Sequence, residues 1–187
     1  EQAAQGSLNP QRFLRLTAAL QRLDRGLDHF HAAITASLTD VDELTGLLNR
    51  AAMERDLARE LAHARRNQAP LCVAMVDADH FKQVNDTYGH PVGDQVICQL
   101  AKVLEDGVRS TDFVGRMGGE EFAVLLPGAT LPQAATVAQR FAHRLAATPV
   151  VHGEQTIPLS ATLGVAERQP EERTLDAMLQ RADQALY

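Results

Sequence analysis

The sequence predicts an α+β fold, a β-α-β-β-α-β domain preceded by one long α-helix. Three observations carry that expectation. Leu71-Cys72-Val73-Ala74-Met75-Val76 is an unbroken apolar run, as a strand covered on both faces requires. Gly118-Gly119 stands between two runs of strand-like alternation, one leading in from Asp112 and one leading out through Phe122 to Leu126. Glycine reaches the positive φ angles that a two-residue hairpin connection needs. Around these strands, apolar residues recur at helical spacing.

Taken in order, Asn9-Pro10 reads as an N-cap with proline at the first helical position, and Leu8 is placed to staple onto Phe13. Phe13, Leu16, Leu20, Leu23, Leu27, Phe30, Ile34 and Val41 then follow a 3-4 spacing with a-positions every seven residues. So narrow a stripe on a helix over 10–41 predicts a parallel coiled-coil dimer or the last helix of an upstream helical bundle, with an amphipathic helix folded onto its own domain as the alternative. Residues 1–41 are therefore expected as a coiled-coil helix and 42–187 as a separate folded domain. In that second unit, a helix over Asn49–Gln68 turns Leu57 and Leu61 inward, and the strand at 71–76 follows. The segment from Asp77 to Asp94 reads as a loop. Pro91–Asp106 is a helix closed by Gly107, and the glycine hairpin covers 112–126. Thr130-Leu131-Pro132-Gln133 is a capping box opening a helix to about Ala147. Thr156–Glu167 is the last strand, pairing first with Val150-Val151 across His152-Gly153. Thr174 caps a final helix. This order is the split βαβ, ferredoxin-like arrangement.

The formal net charge of −6 argues against a binder of nucleic acid polymers, which carries a basic stripe. It leaves room for a nucleotide whose phosphates arrive with a divalent cation. Cys72 and Cys98 sit among apolar neighbours and read as buried, reduced thiols of a cytoplasmic protein. No apolar run is long enough to span a bilayer, so no membrane contact is expected in this stretch. The start at Glu1 and the stop at Tyr187 inside a helical pattern read as a fragment of a longer protein, whose other parts would include a sensor or an anchor.

The ferredoxin-like order makes a spatial prediction about the acidic residues. The third strand lies between the first two and antiparallel to both, so Asp77 at the end of strand one meets Glu120 and Glu121 at the start of strand three. Such a cluster repels itself. Mg²⁺, a hard oxygen-seeking ion, relieves the repulsion when shared between carboxylates and substrate phosphates, as in polymerase palms. A solvated acidic rim is the plainer alternative. In the segment after strand one, Lys82 offers a positive charge to phosphates. Asn85 and Asp94 offer an amide and a carboxylate that suit guanine, whose N1–H and 2-amino group donate; adenine would leave the carboxylate unpaired.

These residues resemble the GGDEF-domain diguanylate cyclases. The resemblance covers nearly all of 42–187: the Asp42–Arg50 stretch, the 77–94 segment, Gly118–Phe122 and the closing Arg181–Tyr187. It implies a palm-type domain that condenses two GTP into cyclic di-GMP with release of two pyrophosphates, as a homodimer joined through the N-terminal helix. Carried over, Asp77, Glu120 and the Ala78 carbonyl would bind two Mg²⁺ per site, with Mn²⁺ as a substitute. Asn85 and Asp94 would read guanine, with His90, Gly118 and Gly119 beside the substrate. Lys82 would stabilise the phosphoryl transition state, and Glu120, supported by Glu121, would take the 3′-hydroxyl proton. Arg109 and Asp112 match the family's RxxD product-inhibition site, with Arg140 assisting. Position 120 is Glu where the family's name has Asp, a replacement found in active members. Members usually continue past Tyr187 with a Lys and an Arg that contact phosphates. The alternative within the resemblance is a catalytically inactive receptor of cyclic di-GMP or GTP.

Overall fold

The computed structural model describes residues 40–172 and 175–186. The helix expected over 10–41 lies outside the described residues except at its end, and so does the Thr174 cap. At that end Asp40 is not helical, and Val41 forms an isolated bridge with Leu48.

The elements run α1 (Arg50–Asn67), β1 (Leu71–Ala78), α2 (Phe81–Tyr88), α3 (His90–Glu105), β2 (Phe113–Gly118), β3 (Glu121–Pro127), α4 (Leu131–Ala147), β4 (Val150–His152), β5 (Gln155–Ile157), β6 (Ala161–Glu167) and α5 (Leu175–Gln184). The main sheet has the order β2-β3-β1-β6, with every neighbouring pair antiparallel. That is the ferredoxin-like order, with β3 between β1 and β2.

From Leu71 to Val76, β1 is apolar because helices cover both of its faces. Leu71, Val73 and Met75 join Met53, Leu57 and Leu61 of α1 and Met178 and Ala182 of α5 in one core. Cys72, Ala74 and Val76 turn the other way, into a core with Val96, Ile97 and Leu100 of α3 and Phe141 and Leu145 of α4. The two-residue period of a strand sorts these sets. At fully buried Leu57, truncation to alanine would cost about 2–5 kcal/mol.

Local chemistry sets the helix ends. The Asn49 side chain accepts the Ala52 N–H at 2.9 Å, and α1 stops at Gln68 in the left-handed region (φ 52°). Gln133 Oε1 accepts the Thr130 N–H at 3.0 Å, the reach-back bond of a capping box.

The structure departs from the sequence reading in four places. The 77–94 segment is not one loop, since α2 occupies Phe81–Tyr88 and α3 begins at His90. The hairpin connection is Gly119-Glu120 rather than Gly118-Gly119. The register slips between Arg116 and Gly118, which keeps Gly118 in β2, paired with Glu121, so only Gly119 needs a positive φ (38°). The strand expected over 156–167 is two: β5 pairs with β4 in a separate hairpin, and Pro158 with its neighbours breaks the chain before β6. Cys98 is half-buried rather than buried, while Cys72 is fully buried, and both are free thiols. Burial, then the Glu167 carboxylate, pushes the Cys72 thiol up to about 12, so it stays protonated and inert.

Candidate active site

The end of β1 is where acidic groups gather. In the β1–β3 ladder Asp77 stands directly opposite Glu121, and the Ala78 N–H donates to the Glu120 carbonyl at 3.2 Å. Residues more than forty apart in the chain are thus hydrogen-bonded neighbours, as the sheet order requires. Alternation places Asp77 on the Leu71–Val73–Met75 face, toward α5. Burial first, then Glu120, Glu121, Asp79 and Asp183, pushes the Asp77 carboxyl above its ordinary range. Asp79 and Asp183 are members of this acidic field that sequence reasoning did not single out. Asp79 is held by Thr162, whose hydroxyl donates to Oδ1 at 2.7 Å.

Among the described residues no three His, Cys, Asp or Glu side chains gather closely enough to hold a metal ion unaided. The oxygen-bearing groups at the β1 end are the carboxylates of Asp77, Glu120 and Glu121, with the Ala78 backbone beside the Glu120 turn. Hard oxygen donors that leave positions for phosphate and water suit Mg²⁺, and mutual repulsion among the carboxylates favours a cation there.

A second device that the sequence reading missed fixes the turn carrying Glu120. The Arg116 guanidinium donates through Nε and Nη2 to the Gly119 carbonyl at 3.0 and 2.8 Å. Its Nη1 lies 3.2 and 3.3 Å from the two Asp42 oxygens. Asp42 also accepts the Thr45 N–H at 2.9 Å and the Thr45 hydroxyl at 2.7 Å. Burial pushes the Asp42 carboxyl up, but Thr45 and Arg116 outweigh it and hold it below the usual carboxylate value. The Arg116 N–H donates to the Leu48 carbonyl at 2.8 Å and the Leu48 N–H to Val114 at 3.3 Å, so the 41–48 segment lies along the outer edge of β2. Only long-range pairing turns Asp42 and Arg116, 74 residues apart, into one unit.

The other expected site residues fall on α2 and α3. Lys82 is exposed on the first turn of α2 and Asn85 is half-buried near its end; His90 and Asp94 are exposed on the first turns of α3. Gly89, at φ 83°, joins the two helices. Gly118 and Gly119 are exposed at the hairpin tip.

Arg109 and Asp112 lie apart from these groups, before β2. The Asp112 carboxylate accepts the Arg109 backbone N–H at 2.9 Å, which leaves the guanidinium exposed. Both residues line a cleft of about 410 Å³ with Glu105, Ser110 and the 46–48 segment. Arg140, from α4, donates to the Gly107 carbonyl and so reaches the same loop.

A four-stranded antiparallel sheet with a carboxylate-bearing hairpin beside the end of a central strand defines a palm-like domain. The family profile described as the diguanylate cyclase GGDEF domain matches residues 39–187, and the chain belongs to that family. It is 36% identical over 178 residues to the diguanylate cyclase DgcP of Pseudomonas aeruginosa, covering 92% of this chain and 26% of that protein. The P. aeruginosa diguanylate cyclase SiaD, solved with its activator SiaC, superposes with a TM-score of 0.76 at 34% identity, covering 94% of this chain and 68% of that one. The coiled coil and GGDEF domain of DgcB from Caulobacter crescentus, solved with c-di-GMP, gives 0.76 at 32% identity over 93% of this chain and 91% of that one. The chain spans between 26% and 36% of the length of the curated relatives it matches. Among the described residues no helix is long and apolar enough to cross a membrane.

Proposed function

We propose that this domain is a diguanylate cyclase that condenses two GTP into cyclic di-GMP with release of two pyrophosphates. The observation that carries this function is the register setting Asp77 opposite Glu121, with the Glu120 turn beside Ala78. Two Mg²⁺ ions, held by Asp77, Glu120 and the Ala78 carbonyl, would supply charge neutralisation for the triphosphate. Glu120 takes the proton of the attacking 3′-hydroxyl, and Glu121 beside it supports the negative field that makes it a base. Lys82 faces solvent and is free to follow the phosphates. Asn85 and Asp94 select guanine.

One domain presents a single such site and the product needs two bonds, so two copies face each other, each hydroxyl attacking the partner's α-phosphate. The N-terminal segment is assigned the role of holding the two copies together. Because phosphoryl transfer depends chiefly on positioning and charge, mutual orientation of the domains sets the rate. Arg109 and Asp112, with Arg140 on the adjoining loop, form the product-inhibition site; the bound c-di-GMP of the DgcB structure supports a product-responsive domain in this family. The deciding experiment is product formation from GTP and Mg²⁺ by Glu120→Gln. Turnover is expected to vanish while the fold, read by circular dichroism, is kept; undiminished product from that variant overturns the assignment.

A further inference from the structure

Asn85 and Gly93 meet where α2 and α3 fold against each other about Gly89. Gly93 is buried, in the first turn of α3. It is not among the residues with positive φ, so its backbone does not demand glycine. In a helix glycine is less stable than alanine. What demands glycine here is space. A Cβ on Gly93 would overlap Asn85 Oδ1, stand 3.0 Å from Asn85 Cγ and 3.3 Å from Phe81 Cζ. Asn85 Oδ1 is buried in that notch without a hydrogen-bond partner.

The notch also fixes which end of the carboxamide faces outward. An inward NH₂ would leave two donors unpaired, whereas an inward oxygen leaves only one acceptor group unpaired. With the oxygen in the notch, Nδ2 is turned out as a donor. The next residue, Asp94, is exposed and presents only acceptors. A donor from Asn85 and an acceptor from Asp94 together make the pattern that guanine complements, with an acceptor for Nδ2 and its N1–H and 2-amino donors for the carboxylate.

We propose that Gly93 is a specificity-determining positioning residue: its missing side chain seats the Asn85 carboxamide so that a donor, not an acceptor, meets the nucleobase. This rests on the guanine-reading role of Asn85 given above, and the test separates the two. Four proteins are compared: parent, Gly93→Ala, Asn85→Ala and the double variant. Affinity for a non-hydrolysable GTP analogue is measured by calorimetry, steady-state constants with GTP, and Tm. For Gly93→Ala we expect the Kd and the KM to rise about tenfold, the loss of one hydrogen bond, with kcat within about twofold. In the Asn85→Ala background, Gly93→Ala should cost no further affinity and should not lower Tm, because the carboxamide is gone and only the Phe81 ring edge, at 3.3 Å, still borders the notch.

Parent-like affinity of Gly93→Ala, alongside an impaired Asn85→Ala, overturns the positioning role while leaving the guanine reading intact. Additive losses in the double variant overturn it as well. Parent-like affinity of Asn85→Ala removes the guanine reading itself, and the inference with it. If Gly93→Ala does not fold, a double variant that melts like Asn85→Ala supports the notch. A double variant that also fails to fold makes Gly93 a packing residue and refutes the proposal.

Discussion

Replacing Arg116 by alanine should damage catalysis more than binding, and the size of both effects can be worked from its contacts. The side chain is 16% exposed and its partner Asp42 23%, so solvent screening weakens these contacts little. Its two bonds to Gly119 share one oxygen and count as roughly one interaction; the Asp42 pair is a second. Bonds to a charged group are worth about 1.5–3 kcal/mol each. Asp42 keeps both Thr45 bonds after the truncation, which reduces the cost of leaving it unpaired. A loss of about 2–4 kcal/mol is expected, and about 5–15 °C in Tm for a chain of this size. The functional effect comes from the turn: without the fork on the Gly119 carbonyl, the peptide before Glu120 is free to move. A displacement near 1 Å at a reacting group costs on the order of 10²-fold. The kcat for cyclic di-GMP formation should therefore fall by about 10- to 100-fold, with the KM for GTP within about threefold. Arg116→Lys should recover much of the Tm through Asp42 but little of the kcat, since an ammonium lacks the planar fork. Differential scanning fluorimetry and product chromatography measure both quantities. Arg116→Ala with parent kcat would refute the assignment of turn-setting to this guanidinium.

Other consequences are open to direct measurement. The folded Asp42 carboxyl is held below its ordinary value of 3.8, so its ionised form stabilises the fold above that value and the contribution is lost as pH falls through the folded pKa. The Tm gap between parent and Asp42→Asn should therefore be widest near neutrality and close in acid below about pH 4; a gap constant with pH would contradict the sign. A Cβ at Gly164 would overlap the Ala182 carbonyl oxygen and lie 2.8 Å from the Leu186 nitrogen, both backbone atoms of the α5 segment. Gly164→Ala should cost about 1–3 kcal/mol and roughly 3–10 °C in Tm, read by thermal melting. Arg109→Ala should retain turnover and lose inhibition by added cyclic di-GMP in a dose–response assay, and equal inhibition of variant and parent would count against the product site.

How far the sequence alone leads is clearest at the hairpin. Alternation and the two glycines locate the strands, because side-chain period and positive φ are local properties. They do not reveal the slip between Arg116 and Gly118, because a register is a relation between two strands, and here β3 is gripped from its other side by β1. The slip moves the turn by one residue and places Glu120, not Gly118, in the connection with Gly119. The meeting of Asp77 with Glu121 was legible for a different reason: once the strand order is known, antiparallel pairing leaves the end of β1 nowhere else to go. Asp42 and Arg116 stayed hidden because an arginine on a strand and an aspartate before a helix each have ordinary local explanations. Asn85 falls between these cases. Its chemistry suggests base recognition from sequence, but the direction its carboxamide faces is decided by Gly93, on the next helix. What local chemistry specifies can be read along the chain. What two elements specify jointly appears only when they pack, and at this site those joint contacts hold the Glu120 turn and orient Asn85.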